Sequence, residues 1–172
     1  MSAKGIRDID VIRTFVLQGT LNFTRYFFKI RQKRKFVIGK HHREIAAALD
    51  KVLCGEITRL IINIAPRYGK TELAVKNFIA EGLAINPKAK FIHLSYSDDL
   101  ARDNSRGVQD IINEPEYRRI FPATIPTSTN TKKWYTTEGG GLYAVSSAGQ
   151  VTGFGAGLVD EEENDELKNL MG

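Results

Sequence analysis

The chain has 172 residues, 42% of them hydrophobic, enough for one domain with a sizeable core and too few for a second full domain. No apolar stretch approaches the roughly 20 residues needed to cross a bilayer, and the N-terminus has no apolar signal core, so a cytoplasmic protein with no membrane partner is expected. The net charge of +5 hides an asymmetry: residues 1–43 carry eleven Lys/Arg against two acids, and residues 158–172 carry six acids against Lys168.

Residues 7–18 and 21–33 read as two helical pieces parted near Gly19 and Thr20, a basic lead-in or lid outside the core. Arg25, Lys29, Arg31, Lys33, Arg34, Lys35, Lys40 and Arg43 are interleaved with Tyr26, Phe27, Phe28 and Phe36. Such a segment suits phosphate backbone with little sequence preference, or is a solvated helix face whose aromatics pack inward. The next helix is better defined: Ile45, Ala48, Leu49, Val52 and Leu53 recur on one face, and Gly55 is placed to end it. Cys54, the only cysteine, excludes a disulfide framework and a cysteine zinc site, and its apolar face makes it a core residue.

Residues 59–72, RLIINIAPRYGKTE, hold the strongest signal. The apolar run 60–64 suits a buried parallel strand, Pro66 breaks it, and Gly69-Lys70-Thr71 opens a helix with Val75, Phe78, Ile79, Gly82 and Leu83 on one face. A phosphate chain is best held by backbone N–H groups converging at a helix N-terminus. Gly69 lets the backbone approach, Lys70 reaches the β and γ phosphates, and the Thr71 hydroxyl suits Mg²⁺. Arg67 can neutralise charge developing on a γ-phosphate, or is a surface arginine. Glu72 favours the helix N-terminus by its charge. The full signature starts with glycine where this chain has Ile64.

Further along, Asn86-Pro87 ends that helix and residues 90–96 read as a second parallel strand, making a βαβ unit with the first. Asp98 can cap a helix running through Leu100, Val108, Ile111 and Ile112 to Glu114-Pro115. Residues 133–137 and 142–146 read as a β-hairpin across Glu138-Gly139-Gly140-Gly141. His93 is most simply a satisfied sheet residue, which leaves no histidine metal cluster. Ser95, Tyr96 and Ser97 end a strand at the edge where α/β proteins bind ligands, or serve as turn and cap groups.

The series Ala65-Pro66-Arg67-Tyr68-Gly69-Lys70-Thr71-Glu72 resembles the variant Walker A loop of the large terminase subunit of tailed bacteriophages. Several other stretches resemble that family in order: His41 to Ile45, Gly55, Arg59 to Ile62, His93 to Ser97, Leu100-Ala101, Trp134, Gly139 to Gly141, and Gln150 to Gly157. The likeness covers roughly residues 36–157. It implies an α/β P-loop NTPase-like parallel sheet flanked by helices, incomplete here, with the helical lead-in before it and a hairpin near the C-terminus. The expected division is a basic lead-in at 1–43, a partial ATPase domain at 44–157 and an acidic tail at 158–172.

It implies further that Pro66, Arg67, Tyr68, Gly69, Lys70, Thr71 and Glu72 bind ATP, that Arg67 and Lys70 are catalytic, and that Mg²⁺ is held by Thr71 through the nucleotide. An adenine pocket would lie just upstream of the first strand, where Phe36 and His42 stand; His41 and His42 can equally just begin a helix. Thr152-Gly153-Phe154-Gly155 would couple nucleotide state to DNA.

The implied partners are double-stranded DNA, a small terminase subunit and a portal protein, around a homo-oligomeric ring in the bacterial host cytoplasm. Hydrolysis also needs a strand-borne Asp for Mg²⁺ and an acid beside it. Asp160 and Glu161 imitate that end, but only two apolar residues precede them and further acids follow, as in an exposed helix. The chain therefore reads as a terminase ATPase fragment that binds ATP and turns little over. The alternative is a nucleic-acid or partner-binding fragment without ATPase activity, and a third reading is a P-loop kinase with a small acceptor.

Overall fold

The computed structural model describes residues 8–147. It is a mixed α/β fold in which six α-helices and one π-helical turn pack around a three-stranded sheet. The N-terminal helices α1 (Asp8–Val16) and α2 (Thr20–Gln32) break at Gly19, as the sequence suggests. Helix α3 (Lys40–Leu53) ends at Gly55, whose φ of 77° only glycine adopts cheaply. There the Glu56 N–H bonds to the Lys51 carbonyl (2.9 Å) and the Gly55 N–H to that of Val52 (3.1 Å), satisfying the last orphan carbonyls.

A π-helical turn (Glu72–Asn77) runs directly into α4 (Phe78–Ile85). Strand β1 (Lys90–Ser95) leads to α5 (Asp98–Asn113) and α6 (Pro115–Ile120); β2 (Lys133–Tyr135) and β3 (Gly141–Ser146) follow. The sheet order is β1-β3-β2. The expected hairpin is present, with β2 antiparallel to β3 and Trp134 opposite Leu142. Strand β1 pairs parallel with β3, from Lys90 opposite Gly141 to Ser95 opposite Ser146.

The expected strand at 60–64 is corrected. Among the described residues it forms no strand and joins no ladder, so no βαβ pair forms with β1. A central parallel strand needs cover on both faces. Here only Ile62 and Ile64 face inward, against Ile45, Leu49 and Leu73, while Ile61 is 86% exposed.

The lead-in also differs from its expected place. Phe23 and Phe27 of α2 are fully buried beside Tyr117 and Phe121, so α2 is part of the main core and not a lid over it. Its aromatics face inward because they recur at three- and four-residue spacing, and burying each contributes about 1.5 to 3 kcal/mol.

Several buried polar atoms around this core find partners. The Tyr117 hydroxyl donates to the Ala80 carbonyl (2.8 Å), the Trp134 indole N–H to Ser105 Oγ (2.9 Å), and the Thr124 hydroxyl to the Leu83 carbonyl (2.9 Å). Helix α2 is capped in trans, the Thr20 N–H donating to Asp50 Oδ1 of α3 at 2.7 Å.

Smaller corrections have local causes. Cys54 is exposed, because the helical periodicity that would bury it stops at Leu53. Ser97, not Asp98, caps α5, its Oγ accepting the Leu100 N–H at 3.2 Å. Pro115 ends α5 as expected and also starts α6, where its missing N–H costs nothing.

Candidate functional site

The loop 65–71 leaves the extended segment at Pro66 and enters a helix at Lys70. Its path needs two residues at positive φ: Gly69 at 75° and, unusually for a residue with a side chain, Arg67 at 69°. Strain of this kind, of order 1 to 3 kcal/mol, persists only where the surroundings hold it.

His42 is one such hold. Its Nδ1 accepts the Gly39 N–H (2.9 Å), which leaves Nε2 to carry the proton and donate to the Tyr68 carbonyl (2.9 Å). Burial, then the neighbouring charge of His41, push the His42 pKa below its ordinary value, with the Tyr68 carbonyl opposing; the ring stays neutral. Gly69 fits because it has no side chain: a Cβ there would stand 2.8 Å from His42 Nε2.

The π turn is the second feature of the site. Such turns are rare and recur at functional positions. Within this turn the Glu72 carbonyl accepts from the buried Asn77 Nδ2 at 2.7 Å. The extra residue also shifts the buried face: Leu73, Asn77 and Ala80 are buried, while Val75 and Phe78, expected on the face, are only partly so.

Of the expected phosphate-loop residues, all but Tyr68 line one cleft. Ile64, Ala65, Pro66, Arg67, Gly69, Lys70, Thr71, Glu72 and Lys76 line a cleft of about 480 Å³. Arg67, Lys70 and Thr71 are exposed, and among the described residues their side chains form no ion pair or hydrogen bond. Two cations and a hydroxyl left uncommitted at a helix start fit an oxyanion. Glu72 is not free in the same way: its carboxylate pairs with Arg31 Nη2 of α2 and stands 4.0 Å from Lys76 Nζ. A second hollow of about 560 Å³ lies against the same loop, where Phe28, Phe36, His41, His42 and Tyr68 meet Arg67 and Gly69. Phe36 and His42 do stand together, ring centres 4.9 Å apart, but both His42 nitrogens are already engaged.

Other expected residues lie elsewhere. His93 Nε2 accepts from Asn104 Nδ2 at 3.0 Å, and burial lowers its pKa, as suits a satisfied sheet histidine. Tyr96 is 90% exposed at the end of β1. Thr152, Gly153, Phe154, Gly155, Asp160 and Glu161 lie outside the described residues. Among the described residues no three His, Cys, Asp or Glu side chains gather as a metal site.

Sequence reasoning missed Arg31, Lys76 and Asn77. Nothing in local spacing marks Arg31 among its seven basic neighbours, and Asn77 in a helix interior signals a departure from α geometry only once its partner is known. No described helix is long and apolar enough to cross a membrane. Comparison with protein-family models, curated proteins and solved structures gives no match.

Proposed function

We propose that this chain is a nucleotide-binding piece of a phage large terminase subunit, binding Mg-ATP at residues 66–72 and, within a complete subunit, serving ATP-driven DNA packaging. The observation that carries the reading is the convergence of Arg67, Lys70 and Thr71, uncommitted and exposed, on one cleft at a helix start. Lys70 takes the role of neutralising the phosphate chain, Arg67 that of charge developing at the γ-phosphate, and the Gly69 backbone admits both. Bound Mg²⁺ would supply further charge neutralisation, held through the nucleotide and the Thr71 hydroxyl; Glu72, engaged by Arg31, takes no part in holding the metal.

Phe36 and the apolar hollow beside the loop suit the base. The finer fold reading, a P-loop NTPase sheet, belongs to the same proposal, as do DNA, a small terminase subunit and a portal as partners, a homo-oligomeric ring, and the bacterial host cytoplasm. In this reading the chain alone binds ATP and hydrolyses little.

Calorimetry with Mg-ATP, on this chain and on Lys70→Ala, with phosphate release followed in the same samples, tests this. Binding that the substitution weakens at least tenfold, without turnover, is the expected result. No binding by the unaltered chain would overturn it and favour the nucleic-acid reading, which rests on the exposed Arg25, Lys29, Lys33, Arg34 and Lys35. That reading predicts salt-sensitive DNA binding indifferent to Lys70.

A further inference from the structure

We propose that Arg31 is a positioning residue for the phosphate loop, drawing the Glu72 carboxylate to its own side of the anion cleft; the inference rests on the phosphate reading of that loop. Glu72 follows Thr71 directly and lines the cleft together with Lys70 and Arg67. A carboxylate two residues from Lys70 has the wrong sign for a site that takes anions. Its position is therefore decisive.

Every group facing Glu72 draws it sideways. Oε1 pairs with Arg31 Nη2 and accepts from Asn77 Nδ2 at 3.0 Å, while Oε2 faces Lys76 Nζ at 4.0 Å. The π turn contributes, since Asn77 reaches both the carbonyl and the carboxylate of Glu72 only because the turn brings positions 72 and 77 together. These contacts direct the acid into a neighbouring polar hollow of about 510 Å³, shared by Arg31, Lys76, Gly107 and Asp110.

Arg31 is built for this contact. It comes from α2, 41 residues upstream, and its side chain is only 8% exposed. Its Nη1 donates to the Gly107 carbonyl of α5 at 3.4 Å, so one guanidinium joins α2, the π turn and α5. Its Nε is buried without a partner among the described residues, a desolvation cost that an arginine serving only as surface charge would not carry. The lead-in helix thereby sets the electrostatics of the loop.

The test uses tripolyphosphate binding by calorimetry to the chain and to Arg31→Met, Glu72→Gln and the double variant, with circular dichroism to verify folding and amide exchange at residues 66–72 without ligand. Arg31→Met should weaken tripolyphosphate roughly 10- to 100-fold, since a carboxylate near the anion is then held only by Lys76 and Asn77. It should also speed exchange in the loop. The double variant, with no charge to misdirect, should bind within about threefold of the unaltered chain and recover its exchange protection.

A merely structural arginine would not be rescued by removing the carboxylate. Unchanged binding in Arg31→Met, or a folded double variant as weak as the single, overturns the proposal. If the unaltered chain binds no tripolyphosphate, the phosphate reading falls and exchange alone judges the tether. Faster exchange in Arg31→Met with recovery in the double sustains the tether, and unchanged protection overturns it.

Discussion

Two regions of this molecule are held together by different physics. Beneath α2, α4, α5 and α6, Phe23, Phe27, Tyr117, Phe121 and Trp134 form a buried aromatic core whose polar atoms mostly have partners. Around the phosphate loop the buried apolar cluster is only Ile45, Leu49 and Leu73, with Ile62 and Ile64 packed on it. There the backbone is fixed instead by polar tethers: His42 on the Tyr68 carbonyl, Asn77 on the Glu72 carbonyl, and Arg31 on the Glu72 carboxylate. A dry core supplies stability without leaving side chains free. Under the proposed reading, a loop that presents Arg67 and Lys70 to an anion cannot bury them, so a few directional contacts must hold its shape.

The comparison breaks most visibly in the aromatic core. Trp134→Ala removes the largest fully buried side chain and its bond to Ser105, and should cost about 3 to 5 kcal/mol in urea unfolding. In the fraction that stays folded, anion binding at the loop should be unchanged; a loss there would show that the two regions are one cooperative unit.

Gly69→Ala is the converse experiment. It combines a positive φ with a Cβ 2.8 Å from His42 Nε2, and should cost about 1 to 2 kcal/mol while weakening anion binding far more than that stability loss explains. Stability lost with binding intact would mean that the loop's shape is not what the site requires.

Glu81 sharpens the contrast from the other side, because it is a buried carboxyl with an unpartnered oxygen; the hydroxyls of Thr20 and Thr24 are likewise unpartnered. Its carboxyl is buried and its pKa is pushed up to about 8, chiefly by burial and further by the nearby Asp50 charge. The folded protein then keeps a proton that the unfolded chain releases near its ordinary value of 4.5. Between those two values the unfolded state binds fewer protons, so stability should fall as pH rises, by up to about 1.4 kcal/mol per pH unit from this group. Glu81→Gln should flatten that slope in denaturant melts at pH 5, 6.5 and 8. A slope unchanged by the substitution would assign it to another group.

Much of the local structure was legible in the chain itself. Gly19, Gly55 and Asn86-Pro87 end helices where their backbone chemistry requires it, and the hairpin around residues 138–141 follows its glycines. Arg67, Tyr68, Gly69, Lys70 and Thr71 were legible as one loop, because phosphate-binding chemistry is written in consecutive residues. The apolar run 60–64 was misjudged for the opposite reason: its hydrophobicity is local, but whether a strand finds a ladder depends on what lies beside it.

What the sequence by itself determined, then, are features set by neighbours along the chain: helix stops, turn residues, the order of charges and the loop's consecutive donors. Only the tertiary structure decided that β1 pairs with β3, that α2 lies in the core, and that Arg31 reaches across 41 residues to Glu72. These depend on distances through space that no periodicity encodes. An arginine among seven basic neighbours looks like solvent-facing charge until packing removes it from water and leaves a carboxylate as its partner.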